Sequence, residues 1–157
     1  MKALSEEEMA RLALKMISGV KESFPHSEVP RRVRARCREL YSMLYYSGIL
    51  STITFAYARA KDEERVKRAF NWVSDFLEGK ESPPPPAKDE EEVSYAIYAA
   101  CICYLLEIMG LKTQDGSLTG VIEVLTSNSG DTLIIEDHTL RFARWLKMYA
   151  EALLGEV

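Results

Sequence analysis

A chain of 157 residues, 47% hydrophobic and 28% charged, is long enough to bury a core of its own and too apolar to stay disordered. A net charge of −4 excludes a surface coated in nucleic-acid-binding charge and leaves room only for a local basic face. The three cysteines, Cys37, Cys101 and Cys103, are too few and odd in number for a disulfide framework. Cys101 and Cys103 would point about 200° apart on a helix, so they read as small buried hydrophobes in a reducing compartment rather than as metal ligands. The first eight residues are charged and carry no apolar h-region, so no secretory signal and a cytoplasmic location are expected.

The first helix is expected to start at Ser5, where Ser5 and Glu8 have the spacing of a capping box. Met9, Leu12, Ala13, Met16, Ile17 and Val20 give it one apolar stripe, and it should end before Pro25. Pro25 to Pro30 is a connection, and Pro30 suits the first turn of a second helix running to Ser47. Gly48 interrupts, and Ile49 to Ala60 reads as a further helix. Leu40 to Ala58 is a charge-free run of 19 residues, near membrane-spanning length. Nine of the 19 carry a hydroxyl, which hydrocarbon would leave short of partners, so the run belongs to a core and no membrane association is expected.

Asp62 is placed to cap a helix over Glu63 to Glu78, stopped by Gly79. Pro83 to Pro86 cannot continue a helix, so residues 79–88 are expected to form an exposed connector. Asp89 to Glu92 should cap and charge the next helix, Glu90 to Met109, which is apolar or aromatic on every side from Val93 to Leu106. Such a helix is the buried centre of a bundle. A shorter helix over Ser117 to Ser127 and a long final one from Thr132 to Leu154 complete the pattern, with Leu133-Ile134-Ile135 β-branched enough to be a short strand instead. The expectation is all-α: one compact helical domain of about six helices over 1–157.

The catalytic inventory is thin. His26 lies in a connector; Glu136, Asp137 and His138 are consecutive, and on a helix they splay apart. No HExxH, Glu-x-x-His pair, phosphate loop, dinucleotide fingerprint or nucleophile elbow occurs. No catalytic residue, metal or cofactor is expected. A small enzyme using His138 and its neighbouring carboxylates is the weakest alternative.

The informative feature is basic. Arg31, Arg32, Arg34, Arg36 and Arg38 fall in eight residues without an acid. On a helix Arg31, Arg34 and Arg38 form one row and Arg32 and Arg36 another. Like charges at this spacing repel, and cations at a helix start oppose the macrodipole, so stability alone would not select them. Arginine rather than lysine suits bidentate binding of phosphate. A second row, Arg141, Arg144 and Lys147, lies on the last helix. Acids gather elsewhere, at Glu78, Glu81, Asp89, Glu90 and Glu91, a segregation that also suits packing of identical subunits. Few aromatic residues flank the arginines in the sequence, and base stacking is expected to be minor.

Two stretches resemble a known family. Arg38 to Ala56, with Ser47-Gly48-Ile49 at its centre and Thr52-Ile53-Thr54-Phe55 after it, resembles a segment of the small subunit of type III-B CRISPR effector complexes, the Cmr complexes. The family's proline is absent from it, and Ser-Gly-Ile replaces Asn-Gly-Leu. Trp145-Leu146-Lys147-Met148-Tyr149-Ala150-Glu151-Ala152-Leu153-Leu154 is similar to that family's C-terminal motif. The resemblance implies an all-helical, non-nuclease subunit, several copies of which stack weakly beside the spine carrying the guide RNA and help to hold target RNA. It implies other Cmr subunits and guide or target RNA as partners. The residues expected to touch RNA phosphates are Arg31, Arg32, Arg34, Arg36 and Arg38, with Arg141, Arg144 and Lys147 as second choice. The competing reading is a helical adaptor whose arginines meet an acidic protein partner.

Overall fold

The computed structural model describes residues 1–155. Among them are six α-helices, α1 (Glu6–Ser23), α2 (Val29–Ala60), α3 (Glu63–Leu77), α4 (Glu90–Ile108), α5 (Leu118–Ser127) and α6 (Thr132–Leu153), and one 3₁₀ turn, Ser129–Asp131. The starts follow from local chemistry. The capping box at Ser5 and Glu8 is formed, Asp62 accepts from the Glu64 N–H, and Ser117 accepts from the Gly120 N–H. Leu133-Ile134-Ile135 is helical, the first turn of α6.

Helix α4 is the axis. Every residue from Val93 to Cys103 is buried, as are Leu105 and Leu106. α2 and α3 pack along it, α6 packs on α1 and α2, and α5 reaches α2. A straight 32-residue helix would be about 48 Å long and could not stay against one 19-residue neighbour. Instead α2 folds at Gly48, whose φ of 83° and ψ of 174° lie outside helical space. Both arms return to the start of α4. The Glu28 N–H, just ahead of the first arm, donates to Glu90 Oε2 at 2.6 Å, and Lys61 Nζ, just past the second, sits 3.1 Å from Glu92 Oε1. Arg36 on the first arm and Phe55 on the second both touch the Tyr95 ring.

The break in α2 is capped from across the molecule. The Ile49 N–H would be orphaned at the start of the second arm; it donates to Glu136 of α6 at 2.9 and 3.2 Å. The Thr52 hydroxyl then donates to the Gly48 carbonyl at 2.8 Å. A side chain at position 48 would bring its Cβ to 3.1 Å from Glu136 Oε1. Position 48 therefore demands glycine for its backbone and for its neighbour.

Two local expectations need correction. Asp89 makes no capping hydrogen bond; it stands in the left-handed region at φ 57°, and its carboxylate takes a 2.8 Å bond from Arg65. In the connector Pro85 is buried, in a hollow it shares with Val93, Ala96 and the side chains of Arg65 and Arg68, while its neighbours Pro86, Ala87 and Lys88 are exposed.

The polar groups of the core are set against ionisation. Cys37, Cys101 and Cys103 are free and buried. Burial pushes the Cys101 and Cys103 thiols up to about 12 and raises Cys37 further above its usual value. Burial likewise raises the Tyr57 and Tyr98 phenols, and burial with a hydrogen bond to Glu39 takes Tyr95 to about 12.

Two outcomes are expected. Gly48→Ala costs about 1–3 kcal/mol of stability from backbone strain. Glu136→Ala costs about 1–2 kcal/mol from removal of the cap, and the double variant costs less than the sum because an added Cβ at position 48 would crowd the capping Glu136 Oε1 at 3.1 Å, a contact that disappears with the carboxylate. Urea melts check this, and strict additivity would contradict the shared-cap account. The second concerns pH. The raised groups bind more protons folded than unfolded, so their stabilisation is whole below their unfolded values, 9.0 for thiols and 10.0 for phenols. The melting temperature should fall as pH rises through 9 and keep falling toward 12; a flat profile to pH 11 would contradict it.

Candidate nucleic-acid interface

The first arm of α2 and the length of α6 lie side by side, running in opposite directions. Arg34 Nη1 donates to the Leu154 carbonyl at 3.4 Å, Arg38 Nε is 3.6 Å from Glu151 Oε1, and Lys147 Nζ lies 5.2 Å from the centre of the Tyr41 ring. Farther along the same seam the Ile49 N–H meets Glu136. Arg34 and Arg38 of α2 and Lys147 of α6, more than a hundred residues apart in the chain, thus meet along one seam.

The arginines of α2 separate into two groups. Val33, Cys37, Leu40 and Leu44 face the core. Measured from them, Arg31, Arg34 and Arg38 fall on the outer and α6 side, whereas Arg32 and Arg36 turn to the opposite flank. Arg36 is 12% exposed, with its guanidinium 4.3 Å over the Tyr95 ring, 3.6 Å from Glu91 and 3.9 Å from Glu39. It serves the packing of α2 on α4 through cation–π and ionic attraction. Arg32 is half-buried, and its Nε is enclosed without a hydrogen-bond partner. Arg38 is 59% exposed, and Arg31 pairs with Glu28, one turn before it.

The row on α6 divides as well. Arg141 turns toward α1, 3.3 Å from Asp137 and 4.0 Å from Glu6. Arg144 is exposed on the outer face, and Lys147 closes the seam with α2. Arg31, Arg34, Arg38, Arg144 and Lys147 therefore lie on the face, where Arg31 pairs with Glu28 and Arg38 with Glu151. Exposed ion pairs of this kind contribute about 0–1 kcal/mol, so a phosphate can displace the carboxylate at little cost.

Reading the arginines alone missed the tyrosines beside them. Arg31, Arg34, Arg38, Tyr41 and Tyr45 follow at steps of three and four, so they occupy one stripe of the helix. That spacing is the signal that could have found them. Tyr45 is 63% exposed and Tyr46 84%, their rings edge to face with centroids 5.0 Å apart.

The residues best suited to acid–base chemistry are engaged structurally. His138 is buried, and its Nε2 accepts the Leu4 N–H at 3.1 Å, which places the proton of the neutral ring on Nδ1, 3.6 Å from Asp137. Glu136 caps α2. His26 is exposed in the connector before α2. Among the described residues no group of three or more His, Cys, Asp or Glu side chains is arranged to hold a metal ion, and no helix is long and apolar enough to cross a membrane.

Comparisons with known proteins agree with this architecture. No curated protein matches the sequence significantly. A chain in a cryo-EM structure of the type III-B Cmr-beta complex bound to non-cognate target RNA superposes with a TM-score of 0.77 at 21% identity, covering 95% of this chain and 97% of that one. A second, from Cmr-beta bound to cognate target RNA and AMPPnP, gives 0.75 at 20% identity, covering 98% and 100%. These likenesses establish the fold. A family model, the CRISPR-associated protein family Cas_Cmr5, matches residues 5–153. With nearly the whole length matched, and with the bundle of that fold, the chain belongs to the Cas_Cmr5 family of CRISPR-associated proteins.

Proposed function

We propose that this chain is a non-catalytic small subunit of a type III-B RNA-guided, RNA-targeting effector complex, and that it holds target RNA through the α2–α6 face. The observation that carries the proposal is the convergence of Arg31, Arg34 and Arg38 with Arg144 and Lys147 on one surface. Family membership supports the placement, and chains of the same fold sit in Cmr-beta complexes with target RNA. The other subunits of that complex and the guide and target strands are then its partners, in the cytoplasm.

Phosphate contacts position a strand without reading its sequence, which suits a complex whose specificity comes from base pairing to a guide. Arg36 and Arg141 reach acids of α4 and α1, Arg32 is half-buried on the flank of Arg36, and the RNA contact is assigned to the remaining five. The structural engagement of His138 and Glu136 supports a non-catalytic role. A second surface feature supports weak stacking of copies: Leu50, Leu133 and Ile134 are exposed around the Gly48 break, Leu133 at 85%. An apolar patch at one end, combined with a charged flank, suits subunits held mainly by the strand they share.

The test is Arg38→Glu with Arg144→Glu in the assembled complex, with target-RNA affinity measured across salt concentrations. Removing one arginine–phosphate pair should flatten the log–log salt slope by roughly 0.7, and affinity should fall alike for every sequence complementary to its guide. Arg36→Gln is the contrast: it should leave the slope unchanged and lower stability by about 1 kcal/mol. An unchanged slope for the double variant, with fold and assembly intact, would assign the face to an acidic protein partner.

A further inference from the structure

We infer that Tyr45 is a stacking platform for an unpaired base of the RNA strand that the basic face holds. The inference rests on the proposed function and adds to it a base contact. Three observations point to it. Tyr45 continues the arginine stripe of α2, so a strand whose phosphates meet Arg34 and Arg38 passes its ring; Arg38 and Tyr45 are seven residues apart, about 10 Å along the helix. The ring is 63% exposed although it is large and aromatic, and its partner Tyr46 is 84% exposed. Tyr46 meets it edge to face at 5.0 Å, which steadies the ring and leaves a face open.

Charge decides between occupants. An exposed aromatic pair could equally meet an apolar protein surface, and the residues past Gly48, Leu50, Leu133 and Ile134, fit that use. Tyr45 lies on the other side of the break, on the stripe that carries the 59% exposed Arg38, where a polyanion is favoured and an apolar partner would have to desolvate a guanidinium. A base offers a π face whatever its identity, so the contact adds affinity and holds a nucleotide out of the strand without reading sequence.

The experiment titrates the full chain into a fluorescein-labelled, unstructured single-stranded RNA across salt concentrations. The variants are Tyr45→Ala, Tyr45→Phe and the pair Arg38→Gln with Arg144→Gln. Melting temperatures accompany each; an exposed ring can be removed without disturbing the core. If Tyr45 stacks a base, Tyr45→Ala lowers affinity about five-fold or more with an unchanged salt slope, Tyr45→Phe keeps wild-type affinity, and the arginine pair flattens the slope. If the arginine pair flattens the slope while Tyr45→Ala binds as wild type, stacking is overturned and the phosphate-holding role stands. If neither change affects binding, or the wild-type chain binds no RNA at low salt, both readings fail. If Tyr45→Ala binds RNA normally and instead lowers recovery of the chain in the assembled complex, the ring is a protein contact and the inference is overturned.

Discussion

Helix α4 has no face it can give to water, and the rest of the chain is arranged to enclose it. From Val93 to Cys103 every side chain is buried, small residues such as Ala96, Ala99 and Ala100 alternating with Tyr95, Ile97, Tyr98 and Ile102. Enclosure on all sides requires several neighbours. The chain provides two of them from one sequence run by breaking α2 at Gly48 and returning both arms to the start of α4. Breaking a helix orphans backbone groups, and Glu136 of α6 answers one of them at Ile49. The fold-back therefore ties α6 to α2, and their packing creates the basic face. A requirement of the core thus positions a surface feature.

Electrostatics then sorts the arginines. The acidic start of α4 lies between the two arms, where Glu90 takes the Glu28 N–H, Glu91 faces Arg36 and Glu92 pairs with Lys61. Acids here also suit the positive end of α4. They neutralise the inner flank of α2, while Glu28 and Glu151, which pair with Arg31 and Arg38 on its outer stripe, are exposed. An ion pair such as Arg38–Glu151 is weak in water, so the fold does not depend on the outer arginines.

Much of the fold was legible because its signals are local. Ser5 with Glu8, Asp62, Ser117 and Gly79 mark helix ends by chemistry within a turn, and the uniform hydrophobicity of α4 places it at the centre without any long-range knowledge. The features that escaped are set by partners far away in sequence. Asp89 has the residue type of a cap, yet Arg65 claims its carboxylate and its backbone is left-handed. Glu136, one of three consecutive polar residues that splay apart on a helix, caps a helical arm 87 residues away. Periodicity gave two arginine rows on α2, but which of them faces α4 depends on where the core lies around the helix. Tyr41 and Tyr45 were within reach, since the three-and-four spacing that defined the arginine stripe continues through them.

The central claim is that a fold-back imposed by α4 brings two distant basic rows together as one RNA-binding face. The most direct test is photo-cross-linking of the assembled complex with target RNA carrying 4-thiouridine at successive positions, with the cross-linked peptides of this chain identified by mass spectrometry. The account predicts cross-links on both sides of the α2–α6 seam, in the peptides holding Arg38, Tyr41 and Tyr45 and in those holding Arg144 and Lys147. Cross-links confined to peptides away from this seam, or absent from this chain while neighbouring subunits are labelled, would contradict it.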